Sequence, residues 1–367
     1  MAIYSQHYRE SNRPADFKPF FSICIPQYNR TDFLIKACRT FSCQDFDDFE
    51  LCISDDCSND FKEAILLDYL RKSGMVYVFV KTDRNLRYDG NLRNAISLSR
   101  GEYLLLMGND DGLTDATILR AIRDEVCRFC PVDVAITNYR ELPGGRIYRR
   151  ITKTGVLGSG PATAASTFRN YSFVSGIVLK GDLARQAATE ALDGSEMYQM
   201  YLGTRMIAVG GRLLGIDRIC VDKDLQVAGQ TVDSYRALPR LHPCPIVERP
   251  LPMVRLLQVV AAGLGSDDTT KGREKNLIRV SKQLYRFTYP FWAVEYRVSQ
   301  SWRFAVGVYL ALRPTRIANG LTFSRHGQFR LWSMYLCFGL LALTIPTSVF
   351  SVFRPWLYAF AKRARFR

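Results

Sequence analysis

Gly101-Glu102-Tyr103-Leu104-Leu105-Leu106-Met107-Gly108-Asn109-Asp110-Asp111-Gly112 joins an apolar run to two adjacent carboxylates, with glycines on both sides of the acids. An unbroken apolar run this short reads as a strand buried on both faces, the kind found in parallel sheets. The C-terminal edge of such a strand is where an α/β domain places charge in a ligand crevice. Paired carboxylates at a loop tip suit a hard divalent cation, which prefers oxygen ligands. A turn whose acids cap the segment beginning at Thr114-Asp115 accounts for the same residues without any ligand.

The flanking sequence favours the crevice. Upstream, Phe21-Ser-Ile-Cys-Ile-Pro26 is a short strand closed by proline, and Asn29-Arg30-Thr31-Asp32 opens a helix that runs to about Cys43. Phe49-Glu-Leu-Cys-Ile-Ser54 is a second strand, ending in Asp55-Asp56. A helix to about Lys72, a strand over 76–81 and a helix over 90–100 follow, and 102–107 is the fourth strand. This alternation predicts parallel βαβ units in a doubly wound sheet. Both acid pairs then fall at strand C-termini. Asp55 and Asp56 are placed to accept hydrogen bonds from a nucleobase edge or a ribose hydroxyl, while Ser58, Asn59 or Asp60 offers plain helix capping instead. Further on, the pattern predicts a helix over 115–130, a strand over 132–137, another within 171–180, a helix over 195–209 and a strand over 213–221.

The net charge of +15 is unevenly placed: from Lys271 to Arg367 there are 17 Lys and Arg against only Glu274 and Glu295, which accounts for all of it. The basicity therefore belongs to the C-terminal quarter, and a general nucleic-acid-binding role is disfavoured. A basic, aromatic and apolar tail more naturally meets an anionic membrane surface. Two helical stretches are expected there, at about 277–312 and 329–361. Within the second, 331–350 carries no charge over a length that could span a bilayer. Gly339 and Pro346 weaken a span; an interfacial, monotopic attachment is the favoured form, with a spanning helix, a hairpin dipping into one leaflet and a soluble helical pair packed on the core as alternatives. The ten cysteines form no disulfide framework, and Cys127-Arg128-Phe129-Cys130 is a lone CxxC; a reduced cytosolic chain is expected. The expected organisation is a polar leader over 1–19 without a signal sequence, a catalytic α/β domain over 20–230, a proline-rich closing segment over 231–270 and a membrane-associating region over 271–367.

Four motifs now line up in order. Ser22-Ile-Cys-Ile-Pro-Gln-Tyr-Asn-Arg30, Phe49-Glu-Leu-Cys-Ile-Ser-Asp-Asp-Cys-Ser-Asn-Asp60, Asn91-Leu-Arg-Asn-Ala95 and Gly101 to Asp111 together resemble the family 2 glycosyltransferases of the GT-A fold. The resemblance covers about 20–225. It implies a GT-A, Rossmann-like doubly wound mixed sheet, a nucleotide-diphosphate-sugar donor, Mn²⁺ or Mg²⁺, and inversion at the anomeric carbon. Carried over position by position, Pro26 and Tyr28 would lie against the nucleoside and Asp56 would bond the base. Asn109-Asp110-Asp111 would be the DXD motif, with asparagine at its first place. Asp111 would then be the metal ligand and Asp110 would serve the ribose or a metal-bound water. Asn85 and Arg93 would lie near the donor.

Inverting transfer also needs a general base for the acceptor hydroxyl. Asp193-Gly194-Ser195-Glu196 supplies two acids, Asp193 and Glu196, with a slight lean to Asp193. The same residues match a capping box for the following helix. The three histidines, His7, His242 and His326, lie far in sequence from the acid clusters, so triad and histidine–zinc chemistry are not expected. The family and the tail together point to a membrane-associated enzyme at the cytoplasmic face, adding sugar to a lipid-linked or saccharide acceptor in bacterial surface-polysaccharide assembly such as O-antigen or capsule. The alternatives are a sugar nucleotidyltransferase, which would need a glycine-rich phosphate loop where Pro26-Gln-Tyr-Asn-Arg30 stands, and a non-catalytic binding protein of the same fold.

Overall fold

The computed structural model describes residues 6–142, 144–230, 252–265 and 270–353. Strands β1 (Gln6–Ser11), β2 (Phe21–Gln27), β3 (Phe49–Asp55), β4 (Tyr77–Thr82) and β5 (Tyr103–Leu106) alternate, from β2 onward, with helices α1 (Thr31–Ser42), α2 (Glu63–Lys72) and α3 (Arg87–Ser97). A second half follows: β6 (Gly112–Leu113), α4 (Ile118–Arg128), β7 (Val134–Glu141), β8 (Arg146–Tyr148), β9 (Gly155–Gly158), α5 (Gly160–Thr167), β10 (Ile177–Lys180), α6 (Gly181–Gln186), α7 (Tyr198–Ala208) and β11 (Leu213–Lys223).

All the strands join one sheet in the order β1-β4-β3-β2-β5-β10-β7-β11-β6, with β8 on β7 and β9 on β11. The β4-β3-β2-β5 half is parallel. Beyond β5 it is mixed, because β10 runs antiparallel to both β5 and β7. This is the expected α/β class. The reason is visible in the strand pattern: Ile23, Ile25, Leu51, Ile53 and Leu105 point into one core, whereas Cys24, Cys52, Leu104 and Leu106 point into the other. Strands buried on both faces need helices on both faces. α1, α2 and α4 cover the first; α3, α5 and α7 cover the second.

Two expectations about the chain's periphery are corrected. The leader contains an ordered strand, since β1 pairs antiparallel with β4. Its residues are mostly polar, so no apolar alternation announces it. Backbone pairing and one carboxylate hold it: Glu10 accepts from Arg71 Nε at 2.9 Å and from the Tyr77 hydroxyl at 2.6 Å, and these bonds, Arg71 first, lower its pKa to about 2. The tail is also not two long helices. It comprises α8 (Pro252–Leu264), α9 (Thr270–Gln283), a π-helical turn (Leu284–Thr288), α10 (Tyr289–Ser299), α11 (Trp302–Ala311), the short α12 (Pro314–Ile317) and α13 (Arg325–Thr344). The break at Ile345-Pro346 interrupts the uncharged 331–350 run. Arg325–Thr344 and Thr347–Phe353 meet at 103°, and no single helix among the described residues is long and apolar enough to cross a membrane. The prolines at 239, 243, 245 and 250 and the basic residues from Arg354 on lie outside the described residues.

The C-terminal helices are continuous with the second core. Leu257, Val260, Leu277, Val280, Leu284, Ala305 and Leu331 belong to the same cluster as Leu92, Tyr198 and Leu202. α8 lies along α7 so closely that a Cβ on Gly263 would sit 2.7 Å from that of Thr204. The tail thus buttresses α7, the helix that follows the two candidate base residues.

Candidate active site

Parallel strands deliver the site to one rim. β2 ends at Gln27 and runs into Tyr28, Asn29 and Arg30; β3 ends in Asp55-Asp56; β5 leads through Met107 to Gly108-Asn109-Asp110-Asp111. Among the described residues, the non-glycine positions with positive φ are Asn29, Arg30, Cys57, Phe61, Arg87, Glu196 and Asp224. Asn29, Arg30 and Cys57 follow the ends of β2 and β3, Arg87 opens α3, and the Glu196 and Asp224 amides donate to Asp89 and Asp111. Left-handed backbone costs a non-glycine residue on the order of 1–3 kcal/mol, and such outliers concentrate at functional sites.

The nucleoside end is built from β2, β3 and the start of α3. Pro26 is half-buried and Tyr28 is 45% exposed, leaving its ring available at the mouth. Asp55 turns inward and accepts from the Ser58 amide at 2.8 Å, so it serves its own turn. Asp56 accepts from the Leu86 amide at 2.5 Å. Burial pushes its pKa up to about 6 despite the Leu86 and Arg87 amides, which pull it down. Asn85 is exposed, and its Oδ1 accepts from the Arg87 amide at 2.9 Å, shaping the entry to α3.

The acid end is drawn together by side chains from both halves of the chain. Asn109 donates to Gln27 Oε1 at 2.7 Å, and Asn91 donates to the Gln27 carbonyl at 2.9 Å. Asp110 pairs with Arg30 at 2.7 Å; burial raises its pKa and Arg30 works against that. Asp111 is only 2% exposed. One of its oxygens accepts from the Ser175 hydroxyl and the other from the Asp224 amide at 3.1 Å. Burial first, then the charge of Asp110, raises its pKa to about 8. Two crowded carboxylates in a buried place form a hard-oxygen donor set that a divalent cation would relieve. No three His, Cys, Asp or Glu side chains among the described residues form a metal site of their own. A Mg²⁺ or Mn²⁺ ion held here would take one or two carboxylates and complete its shell with substrate phosphates and water.

How the candidate base segment is held differs from the local capping expected from the sequence. α7 starts at Tyr198, later than expected, and the capping box is absent. The cap comes instead from Asp89, in the first turn of α3. Its carboxylate accepts from the Glu196 amide at 2.8 Å, the Tyr198 amide at 3.1 Å and the Ser195 hydroxyl at 3.2 Å. Asp89 is buried, and burial raises its pKa. One turn further on, buried Arg93 grips Asp193 through both guanidinium Nη atoms, the Nη2–Oδ2 bond being 2.7 Å, and donates to the Thr189 carbonyl at 3.1 Å. Tyr88 completes the contact by donating to Gln199 at 3.0 Å. α3 therefore carries the nucleoside-side turn at its start and the candidate bases along its flank. Nothing local in sequence marks Asp89, Ser175 or Asp224, because their partners are 64–113 residues away.

The likenesses to known proteins fit this geometry. Residues 22–169 match the family model "Glycosyl transferase family 2". The GalNAc(5)-diNAcBac-PP-undecaprenol beta-1,3-glucosyltransferase of Campylobacter jejuni is 27% identical over 100 residues, 27% of this chain and 32% of that protein. Abequosyltransferase RfbV of Salmonella typhimurium is 33% identical over 94 residues, 25% and 28% of the two chains. The chain thus spans about a third of the length of these relatives. The crystal structure of S. aureus TarS 1–349 in complex with UDP superposes with a TM-score of 0.59 at 15% identity, covering 88% of this chain and 90% of that one, a likeness of fold. Nothing in the geometry or in these likenesses favours the nucleotidyltransferase or non-catalytic alternatives.

Proposed function

We propose that the chain is an inverting glycosyltransferase that moves a sugar from a nucleotide-diphosphate-sugar to an acceptor hydroxyl in cell-surface polysaccharide assembly, a reading supported by the match of residues 22–169 to the family 2 glycosyl transferase model. The observation that carries this reading is the convergence of Asp56, at the end of β3, and Asp110-Asp111, just beyond β5, on one rim. The first accepts hydrogen bonds from a nucleobase and the second pair holds the diphosphate end. Tyr28 and Pro26 flank the nucleoside. Asp111, with Asp110 beside it, would hold Mn²⁺ or Mg²⁺. A cation bound there supplies charge neutralisation for the departing diphosphate.

In the transfer the acceptor oxygen bonds to the anomeric carbon as the bond from that carbon to the phosphate oxygen breaks. The electron pair leaves with the nucleoside diphosphate, and the hydroxyl proton passes to a carboxylate. Of the two candidates we assign the base to Glu196. The ground is the fixed placement of Glu196: its backbone is left-handed at φ 59° and its amide is held by Asp89, while Arg93 grips both oxygens of Asp193. Asp193 then serves as a clasp.

The C-terminal helices supply the place of work. Along α13, Phe329, Trp332, Leu336 and Leu340 are exposed on one face, and Val349, Val352 and Phe353 extend the apolar surface beyond the bend. From Tyr296 to Arg367 the sequence contains no acid. We assign this face to the interfacial layer of an anionic membrane, at its cytoplasmic side, with a lipid-linked saccharide as acceptor. Release of nucleoside diphosphate from a panel of sugar nucleotides, with Mn²⁺ and lipid-linked acceptors extracted from membranes, tests the activity. Sedimentation with phosphatidylglycerol vesicles tests the placement. Release by the native chain and its loss in Asp111→Ala is expected. No release with any donor overturns the activity. Undiminished sedimentation of a Leu336→Glu/Leu340→Glu variant overturns the membrane face.

A further inference from the structure

Ser175 and Arg150 lie outside every motif described above, yet they stand directly behind Asp111. Ser175 is fully buried; its hydroxyl donates to Asp111 Oδ2 and accepts from the Gly108 amide at 2.8 Å. One hydroxyl therefore joins both ends of the Gly108–Asp111 turn. Ser175 in turn sits in a loop with little regular structure, between the 3₁₀ turn Phe168–Tyr171 and β10. A loop residue orients a carboxylate only if something fixes the loop.

Arg150 does so. It is 4% exposed, and its guanidinium donates from Nε to the Thr137 carbonyl at 2.7 Å, from Nη1 to the Phe173 carbonyl at 2.9 Å and the Asn170 carbonyl at 3.4 Å, and from Nη2 to the Ser175 carbonyl at 2.8 Å. Its plane also lies over the rings of Tyr139 and Phe173, at 5.3 and 5.7 Å. A planar fork with several fixed donors holds β7, the 170–173 turn and Ser175 in one arrangement, which the single flexible ammonium of lysine does not reproduce. The fit is tight: a Cβ on Gly176, at φ +79°, would meet Thr137 Oγ1 at 2.3 Å and Arg150 Nη2 at 3.0 Å.

We infer that Arg150 and Ser175 are positioning residues for the cation site: Arg150 fixes the Ser175 carbonyl, and the Ser175 hydroxyl sets the orientation of the Asp111 carboxylate. This rests on the proposed metal role of Asp111. Groups that hold a ligating carboxylate typically account for about tenfold to a hundredfold in metal affinity.

The test is Mn²⁺ binding to the full chain, followed by the loss of the free-ion electron paramagnetic resonance signal, with thermal midpoints measured alongside. Ser175→Ala removes one hydroxyl and Arg150→Lys keeps the charge. Each is expected to weaken Mn²⁺ binding, Ser175→Ala by about tenfold or more, with a midpoint close to that of the native chain for Ser175→Ala. The double variant is expected to lose little beyond the worse single variant, because the two residues act in series. Native affinity in Ser175→Ala, or full additivity of the two losses, overturns the inference while leaving the metal role standing. A native chain that binds no Mn²⁺ overturns the metal role and this inference together.

Discussion

The parallel half of the sheet and the half beyond β5 build their parts of the site in different ways. In the parallel half each functional group follows its own strand within a few residues: Tyr28 after β2, Asp55-Asp56 at the end of β3, Asp110-Asp111 after β5. In the other half the groups are held from a distance. Asp89 caps α7 across more than a hundred residues of sequence, and Ser175 reaches back to Asp111. The difference teaches that the proposed nucleotide site is a property of strand ends, whereas the candidate base segment and the orientation of the acid pair are properties of tertiary packing.

Substitutions at the base segment should give the largest separation of the two halves. Glu196→Gln is expected to lower kcat by about a hundredfold or more, the usual contribution of a general base, while binding of the donor, set by the parallel half, stays near native. Asp193→Asn should leave a substantially higher kcat than Glu196→Gln. The reverse ranking, from steady-state kinetics on both variants, would return the base to Asp193.

A smaller, pH-dependent effect is expected at the nucleoside end. With its pKa raised to about 6, Asp56 is a carboxylate above that pH and a neutral acid below it. If it accepts from a base edge, donor affinity should fall as pH drops through about 6, and Asp56→Asn should bind weakly at every pH without that step. Stability should move the other way. The folded-state pKa lies above the ordinary value of 3.8, so ionisation is costlier in the folded chain. The contribution of Asp56 to stability is therefore most favourable below about 4 and declines as pH rises through about 6. Calorimetric titration of a nucleoside diphosphate across this range checks the binding half of the statement.

The smallest effect sharpens the role of α3. Asp89→Ala removes a cap from α7, worth about 1 kcal/mol in thermal unfolding. If the cap also positions Glu196, kcat falls more than KM rises; a pure loss of stability with native kinetics would confine Asp89 to the fold.

How much of this was legible in the sequence follows the same divide. The alternation of strands and helices, the two acid pairs and the family motifs all lie in the first 111 residues, where side-chain periodicity and strand-end chemistry are local signals. The polar strand β1 was missed because it is held by backbone pairing and Glu10 rather than by an apolar pattern. The capping box at Asp193 was a plausible local pattern that lost to Asp89, whose link to α7 no spacing rule encodes. Arg150 and Ser175 carried no signal at all, since a buried arginine bonded to carbonyls looks in sequence like any basic residue near a turn. The tail's uncharged run was legible as apolar and Pro346 as its weak point, and the helix does break at Ile345-Pro346; the packing of α8 on α7 depends on contacts that no local pattern encodes.

The central claim is that the rim formed by Asp56 and Asp110-Asp111 binds a sugar nucleotide together with a divalent cation. Thermal unfolding of the full chain against a panel of nucleotide-diphosphate-sugars, with and without Mn²⁺, tests it most directly, because a ligand that binds only the folded state raises the midpoint in proportion to its occupancy. The account predicts that at least one sugar nucleotide raises the midpoint in the presence of Mn²⁺, that the shift is lost on chelation, and that it is absent in Asp111→Ala. No shift with any member of the panel, or an equal shift in Asp111→Ala, would contradict it.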